Sequence, residues 1–299
     1  MKILVTGGCG FIGSHIVDQL VAAGHTVAIA DNLSTGSKKN LNPAAKLFEV
    51  DVRDAALRNV FEAFRPEVVY HEAAQIDIAK SIEDVGFDAS INVLGSVRVL
   101  ECCRDYKVRK IIYASSAAVY GDPAYLPVNE VHPIAPMSYY GVSKFTPELY
   151  IKTFAHLYGL AYTILRYANV YGIRQDPKGE GGVVSIFTDK LRRGEMPCIY
   201  GDGEQTRDFI YVADIAAANV AALTHGDNEI INVSTNLRTS VNELLAIMSD
   251  GKVAGEHLPA RAADIPHSAL DNTKAKTLLG WAPRYPLHEG LKKTMEYYK

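Results

Sequence analysis

The chain predicts an α/β fold: a doubly wound parallel sheet covered on both faces by helices, followed by a smaller C-terminal α/β lobe. Three observations carry that prediction. Over the first half of the chain, short apolar runs of strand length alternate with runs of helical periodicity, the pattern of a buried parallel sheet. The first apolar run passes directly into a turn holding Gly7, Gly10 and Gly13. Beyond about Asn169 the runs shorten and glycine-rich loops separate them, as at 179–182 and 201–203.

The elements follow in order. Residues 2–6 read as a strand, and after Gly13 the segment 14–23 has Ile16, Val17, Leu20 and Val21 at helical spacing until Gly24 stops it. Residues 26–30 read as a second buried strand ending at Asp31. Further strands are expected at 46–49, 68–72, 110–115 and 161–167, alternating with helices at 54–64, 85–106 and 139–158. Short strands at 198–200, 207–211 and 230–233 and a last helix near 286–298 belong to the second half. These runs suggest a domain over 1–168 and a lobe over 169–299, with a return of the chain to the first domain left open.

The glycine turn is the arrangement of a Rossmann-type dinucleotide site. The first glycine lets the backbone turn tightly, the second lets it approach a pyrophosphate, and the third lets the next helix pack on the strand with its N-terminus facing the phosphates. An acidic side chain about twenty residues further on accepts hydrogen bonds from both ribose hydroxyls and repels a 2′-phosphate. Asp31 holds that place, so NAD is the expected cofactor. An ordinary strand-turn-helix with an acidic loop is the competing reading, in which Lys38 and Lys39 are simply solvated.

Composition narrows the function classes. A chain of 299 residues can bury a large core, and its formal charge of −3 comes without a basic stripe interleaved with aromatics, which argues against nucleic acid. The apolar stretches are strand-sized or broken by charge, and the N-terminus enters the first strand at once; no membrane span or signal peptide is expected, and the cytoplasm is the expected location. The four cysteines, Cys9, Cys102, Cys103 and Cys198, have neither paired zinc spacing nor the density of a disulfide framework. Among the nine histidines there is no HExxH pair, and His15, His71 and His132 stand alone where packing is the simpler use. No catalytic metal is expected.

Two segments could carry chemistry. Tyr140 and Lys144 lie four residues apart after Pro136 and Ser138, which mark a helix start. Side chains at that spacing share a helical face, with Cβ atoms about 5–6 Å apart. A phenol titrates near 10 when unperturbed, so a neighbouring ammonium is what lets it act as a base near neutrality. Ser116 follows the strand at 110–115 and falls on the same rim as the glycine turn, where its hydroxyl can meet a substrate hydroxyl. Pro147 lies inside the same helix, where it removes the bond to the Ser143 carbonyl and predicts a kink.

At these residues the chain resembles the extended short-chain dehydrogenases/reductases that act on nucleotide sugars, and within them the UDP-glucose 4-epimerases. The resemblance covers nearly the whole chain. Its pieces are the 7–13 turn, the 31–36 loop, Asp51 and Val52, His71-Glu-Ala-Ala-Gln75, Asn92, 115–121, 140–144, 165–172, 207–212 and 261–264. It implies that NAD is held by Gly7, Gly10, Phe11, Ile12 and Gly13, by Asp31, Asn32, Ser34, Thr35 and Gly36, by Ala73, Ala74, Gln75 and Asn92, and by Tyr140 and Lys144, with Asp51 and Val52 flanking adenine. It further implies a UDP-hexose bound by Ser116, Tyr140, Asn169, Val183, Tyr200, Arg207, Arg261, Asp264 and Ser268. Arg207 and Arg261 would clamp the pyrophosphate; surface ion pairs with Asp208 and Asp264 are the alternative. The implied reaction is C4 oxidation, turnover of the 4-keto sugar and re-reduction, interconverting UDP-glucose and UDP-galactose in a homodimer built on two helices from each subunit.

Related activities differ at identifiable places. A 4,6-dehydratase needs an acid and a base after the catalytic hydroxyl, where this chain has Ala117 and Ala118. A UDP-glucuronate decarboxylase or epimerase needs a cation near the sugar carboxylate, and a redox-sensing binding protein would usually have lost part of the Ser-Tyr-Lys set. Ser268 stands where relatives restricted to glucose and galactose resemble one another in a bulky tyrosine. A serine leaves room for a 2-acetamido group, which predicts activity on UDP-N-acetylglucosamine and UDP-N-acetylgalactosamine as well.

Overall fold

Seven parallel strands form the central sheet of the computed structural model, which describes residues 1–177, 182–260 and 265–299. β1 (Lys2–Thr6), β2 (Thr26–Asp31), β3 (Lys46–Glu49), β4 (Val68–His71), β5 (Lys110–Ser116), β6 (Ala161–Tyr167) and β11 (Glu229–Val233) stand in the order β11-β6-β5-β4-β1-β2-β3. The chain leaves β1 toward β2 and β3, then crosses to β4 on the other side. Strand order thus reverses beside β1, which opens a crevice at the carboxyl ends of β1 and β4.

Register brings those ends level. Thr6 pairs with Ala30 on one side and His71 on the other, and Ser116 pairs with Tyr167. Because side chains alternate along a strand, Ile3 and Val5 pack on one face and Leu4 on the other. On the first face lie α1 (Phe11–Ala22) and α8 (Val212–Ala222), joined through Ile16, Val17, Leu20, Ile215, Ala218 and Ala222. The second face is covered by α2 (Leu57–Phe64), α5 (Ser96–Asp105) and α6 (Tyr139–Tyr158). Each fully buried Ile, Leu or Val contributes about 1.5–3 kcal/mol, so both layers are strongly specified.

A third apolar cluster centres on Tyr171, Phe187, Ile199, Phe209 and Leu244 and joins the remaining elements. β7 (Asn169–Tyr171) pairs with β10 (Phe209–Tyr211), β8 (Cys198–Tyr200) with β13 (Glu256–Leu258), and β9 (Thr206–Arg207) with β12 (Thr239–Ser240). Around them lie α7 (Val183–Arg192), α9 (Val241–Ser249) and α11 (Leu287–Tyr297), while α10 (Thr273–Leu279) packs Ala275 and Leu279 on the first face of the sheet, beside β11 and α8.

Four segments differ from the sequence reading. The helix expected over 54–64 begins only at Leu57, after turns closed by the Asp54 carboxylate. The strand expected over 207–211 divides at Asp208, whose buried carboxylate accepts from the amides of Thr235 and Asn236 at 2.9 and 3.0 Å. The helix expected over 85–106 comprises α4 (Val85–Ala89), a π-helical segment at Ser90–Gly95 and α5, preceded by α3 (Ile78–Glu83). Residues 229–233 join the central sheet beside β6, which pattern alone could not show, since a short apolar strand pairs equally well in either lobe. α6 runs as one helix through Pro147.

Candidate active site

A cleft of about 530 Å³ opens at the reversal of strand order. Its floor begins with the glycine turn. Gly7 adopts φ +69°, and a Cβ on Gly13 would stand 2.2 Å from the Gly7 carbonyl oxygen, so the turn closes only with glycine at both places. Phe11, Ile12 and Gly10 line the cleft beside them, at the start of α1.

Asp31 ends β2 against this turn. One carboxylate oxygen accepts from the Cys9 amide at 2.9 Å and the other from the Leu33 amide at 2.8 Å. Each oxygen keeps a lone pair for a ribose hydroxyl. Burial of Cys9, and second the Asp31 charge, push its thiol up to about 11, which keeps that cysteine protonated and unreactive. Asn32, Ser34, Thr35 and Gly36 continue the wall, and Asp51 and Val52 close it. Arg53 grips the Asp51 carboxylate with Nε and a terminal nitrogen at 2.9 and 2.8 Å, holding its pKa down to about 2.

The opposite end is built by α6. Ser138 caps the helix, accepting from the Gly141 amide at 3.1 Å. A Cβ on Gly141 would meet the Ala118 carbonyl oxygen at 2.6 Å, so the missing side chain lets the first turn of α6 press against the turn after Ser116. Ser116, Tyr140 and Lys144 therefore line the same cleft. The Lys144 ammonium lies 4.8 Å over the Tyr113 ring, almost wholly buried; burial lowers its pKa, while Glu72, Glu148 and Asp88 raise it.

Ala73, Ala74, Gln75 and Asn169 complete the lining expected from sequence. Asn92 does not. It is buried behind the wall, where it accepts from the Gln75 amide at 2.8 Å and donates to the Gln75 carbonyl and Ser143 Oγ, both at 2.9 Å. Its polar atoms bond within the chain and tie the β4 loop to α6. Val183, Tyr200, Arg207 and Ser268 also lie off the cleft lining, in the C-terminal lobe. Arg207 follows Thr206 on β9, and the Ser268 amide donates to the Thr206 carbonyl at 3.1 Å, so those two stand together. Arg261 and Asp264 lie outside the described residues. The expected alternative of an Arg207–Asp208 pair gives way to an Asp208 carboxylate turned on Thr235, Asn236 and Leu270.

Among lining residues that sequence reasoning did not single out, Glu72, Asp77, Lys80, Tyr167 and Gln175 carry polar groups. Glu72 lies inside a quoted motif; only its place at the end of β4, one residue beyond His71, could have drawn attention to it. The isolated histidines are used structurally: His71 between Thr6 Oγ1 and Ser96 Oγ at 2.7 and 2.9 Å, His15 on the Ile173 carbonyl and His132 on the Ala124 amide. Among the described residues no cluster has the makings of a metal site.

Comparison with known proteins agrees with this geometry. The family model described as NAD dependent epimerase/dehydratase family matches residues 3–234. The chain belongs to that family. Its members here include a UDP-glucose 4-epimerase of Mycolicibacterium smegmatis, 42% identical over 100% of this chain and 99% of the relative. Among solved structures, a UDP-glucose 4-epimerase of Thermotoga maritima with UDP-glucose is 46% identical, with a TM-score of 0.97 and coverage of 100% and 98% of the two chains. One from Thermus thermophilus with NAD is 39% identical at a TM-score of 0.94, covering 100% and 99%. As a member of the NAD dependent epimerase/dehydratase family, the chain has a cleft that fits a dinucleotide: a tight turn that closes only with glycines, and the buried Asp31 carboxylate against it.

Proposed function

We propose that the protein is an NAD-dependent UDP-glucose 4-epimerase that interconverts UDP-glucose and UDP-galactose, and that the same site accepts their 2-acetamido counterparts. The observation that carries this reading is the convergence of Ser116, Tyr140 and Lys144 on one cleft with the glycine turn and Asp31. NAD would be held by the glycine turn, Asp31 and Lys144, and would supply the hydride exchange at C4 of the sugar. Tyr140 takes the proton from the 4-hydroxyl and gives it back. The Lys144 ammonium lowers the cost of the phenolate, and the Ser116 hydroxyl orients the substrate oxygen. Asn169, Val183, Tyr200, Arg207 and the segment containing Arg261, Asp264 and Ser268 hold the nucleotide, with the arginine forks suited to phosphate oxygens. Ser116 is followed by Ala117 and Ala118, which cannot move protons, so a 4,6-dehydratase is disfavoured.

In this reading residues 1–168 chiefly bind the cofactor and 169–299 the nucleotide sugar, and the protein works in the cytoplasm as a homodimer. Val142, Leu149, Tyr150 and Leu157 of α6 are exposed, and Val85 and Leu94 of the neighbouring helical segment are exposed too, an apolar face that a second copy would cover.

The test is incubation of the purified protein, without added cofactor, with UDP-galactose and separately with UDP-N-acetylgalactosamine, followed by chromatography. Both gluco epimers should appear, and Tyr140→Phe should nearly abolish them while leaving NAD bound. No conversion even with added NAD rejects the activity; loss of the N-acetyl arm alone rejects the role of Ser268.

A further inference from the structure

Glu72 is an acidic group at the reacting end of the cleft that the chemistry above does not use. It lines the cleft together with Tyr140, Lys144 and Tyr167. Asn219 Nδ2 donates to the Tyr167 hydroxyl at 2.8 Å and to the Ile215 carbonyl at 2.9 Å, which occupies both amide protons. The Tyr167 hydroxyl lies 3.2 Å from Glu72 Oε1 and 3.1 Å from Asn219 Oδ1, so its proton has the carboxylate as the charged one of two acceptors. The carboxylate is thus provided with a hydrogen-bond donor fixed from behind by a buried amide.

Among the described residues the groups that face it are Lys144 and Tyr140 of α6, Tyr113 of β5, Tyr167 of β6 and Tyr70 of β4. Lys144 is the cation among those facing groups, and Glu148 and Asp88 lie on its other sides. Burial raises the Glu72 carboxyl above the usual carboxylate range, and Lys144 and the Tyr167 hydrogen bond offset this only in part, so its charge is present on the alkaline side of neutrality and lost on acidification.

We propose that Glu72 is a positioning residue for the cofactor's charge: ionised, it balances the Lys144 ammonium across the floor of the cleft and favours the oxidised, positively charged nicotinamide over the reduced, neutral one. This rests on the NAD-dependent reading above. A lone ammonium beside the ring would favour the reduced form, because a cation destabilises a second cation in a poorly solvated site. The carboxylate cancels that bias. Hydride must leave and return in one turnover, so a balanced site serves epimerisation better than a biased one.

The experiment compares the full-length protein with Glu72→Gln and Glu72→Asp, each stripped of nucleotide and titrated with NAD and with NADH by calorimetry. Removing the charge should shift the ratio of the two affinities about tenfold toward NADH. Glu72→Asp, which keeps the charge, should remain near wild type. In the wild type the ratio should drift toward that of E72Q as acid protonates Glu72, whereas E72Q should show no such drift. An E72Q ratio equal to wild type overturns the proposal. Should E72Q not fold, Tyr167→Phe removes the donor and should move the wild-type drift to higher pH; an unmoved drift overturns the proposal equally. A wild type that epimerises while E72Q keeps its ratio removes this inference alone, and a wild type that binds neither nucleotide removes both.

Discussion

Glu148→Gln should destabilise the protein by about 3–5 kcal/mol, the cost of leaving a buried charge without its partner. Glu148 is fully buried and Arg166 only 2% exposed. Arg166 reaches one carboxylate oxygen through Nε at 2.9 Å and the other through a terminal nitrogen at 2.6 Å, and Ser115 Oγ adds a bond at 2.6 Å. An amide in that place keeps the volume but loses the charge and turns a donor toward donors. Arg166 retains one amide oxygen and the Tyr120 hydroxyl at 2.9 Å, but no opposite charge, so its guanidinium is left largely uncompensated. At about 2 °C per kcal/mol for a chain of this size, the melting temperature should fall by roughly 6–10 °C. Thermal unfolding of the nucleotide-free protein measures this. A double variant, E148L with R166M, removes both charges and should be less destabilised than E148L alone. A loss below about 1 kcal/mol for E148Q, or a double variant worse than either single, would refute the argument that desolvated charge dominates here. Glu148 also raises the Lys144 pKa, so E148Q should move the alkaline limb of activity to lower pH.

Two further outcomes follow from the geometry. Gly13→Ala should gain about 1 kcal/mol of helix propensity but lose more than that, because its Cβ would meet the Gly7 carbonyl oxygen at 2.2 Å and the turn must open; NAD carried through purification should drop sharply, and unchanged NAD content would count against the close-approach argument. His71 is buried with its pKa depressed to about 3, by burial first and by the Lys144 charge second. Since the unfolded chain takes up this proton near 6.5 and the folded one resists it until about 3, stability should fall by about 1.4 kcal/mol per pH unit through that window on acidification, and His71→Gln should flatten the slope.

The cofactor half of the site was legible because its chemistry is local. A tight turn needs glycine at Gly7 and Gly13, and a strand ending in Asp31 brings a carboxylate against that turn, whatever the rest of the chain does. Tyr140 and Lys144 were legible for the same reason, since four residues on one helix settle their proximity. How Asn92 is held was not legible, because a motif gives an address along the chain but not a direction for the side chain; the π-helical segment turns Asn92 onto Gln75 and Ser143. Glu72 was passed over because nothing in His71-Glu-Ala-Ala-Gln75 says which side of β4 faces Lys144.

By itself, then, the sequence determined the parallel sheet, the glycine turn, the choice of NAD over a 2′-phosphate and the pairing of Tyr140 with Lys144, all of which follow from periodicity and short-range sterics. Only the tertiary structure decided that β11 returns to the central sheet, that Ser116 meets α6 through Gly141, and that Arg166, Glu148 and Ser115 lock β5, β6 and α6 together. Those contacts join residues far apart in the chain, and their energy comes from desolvated charge and close packing, which exist only once the layers have assembled.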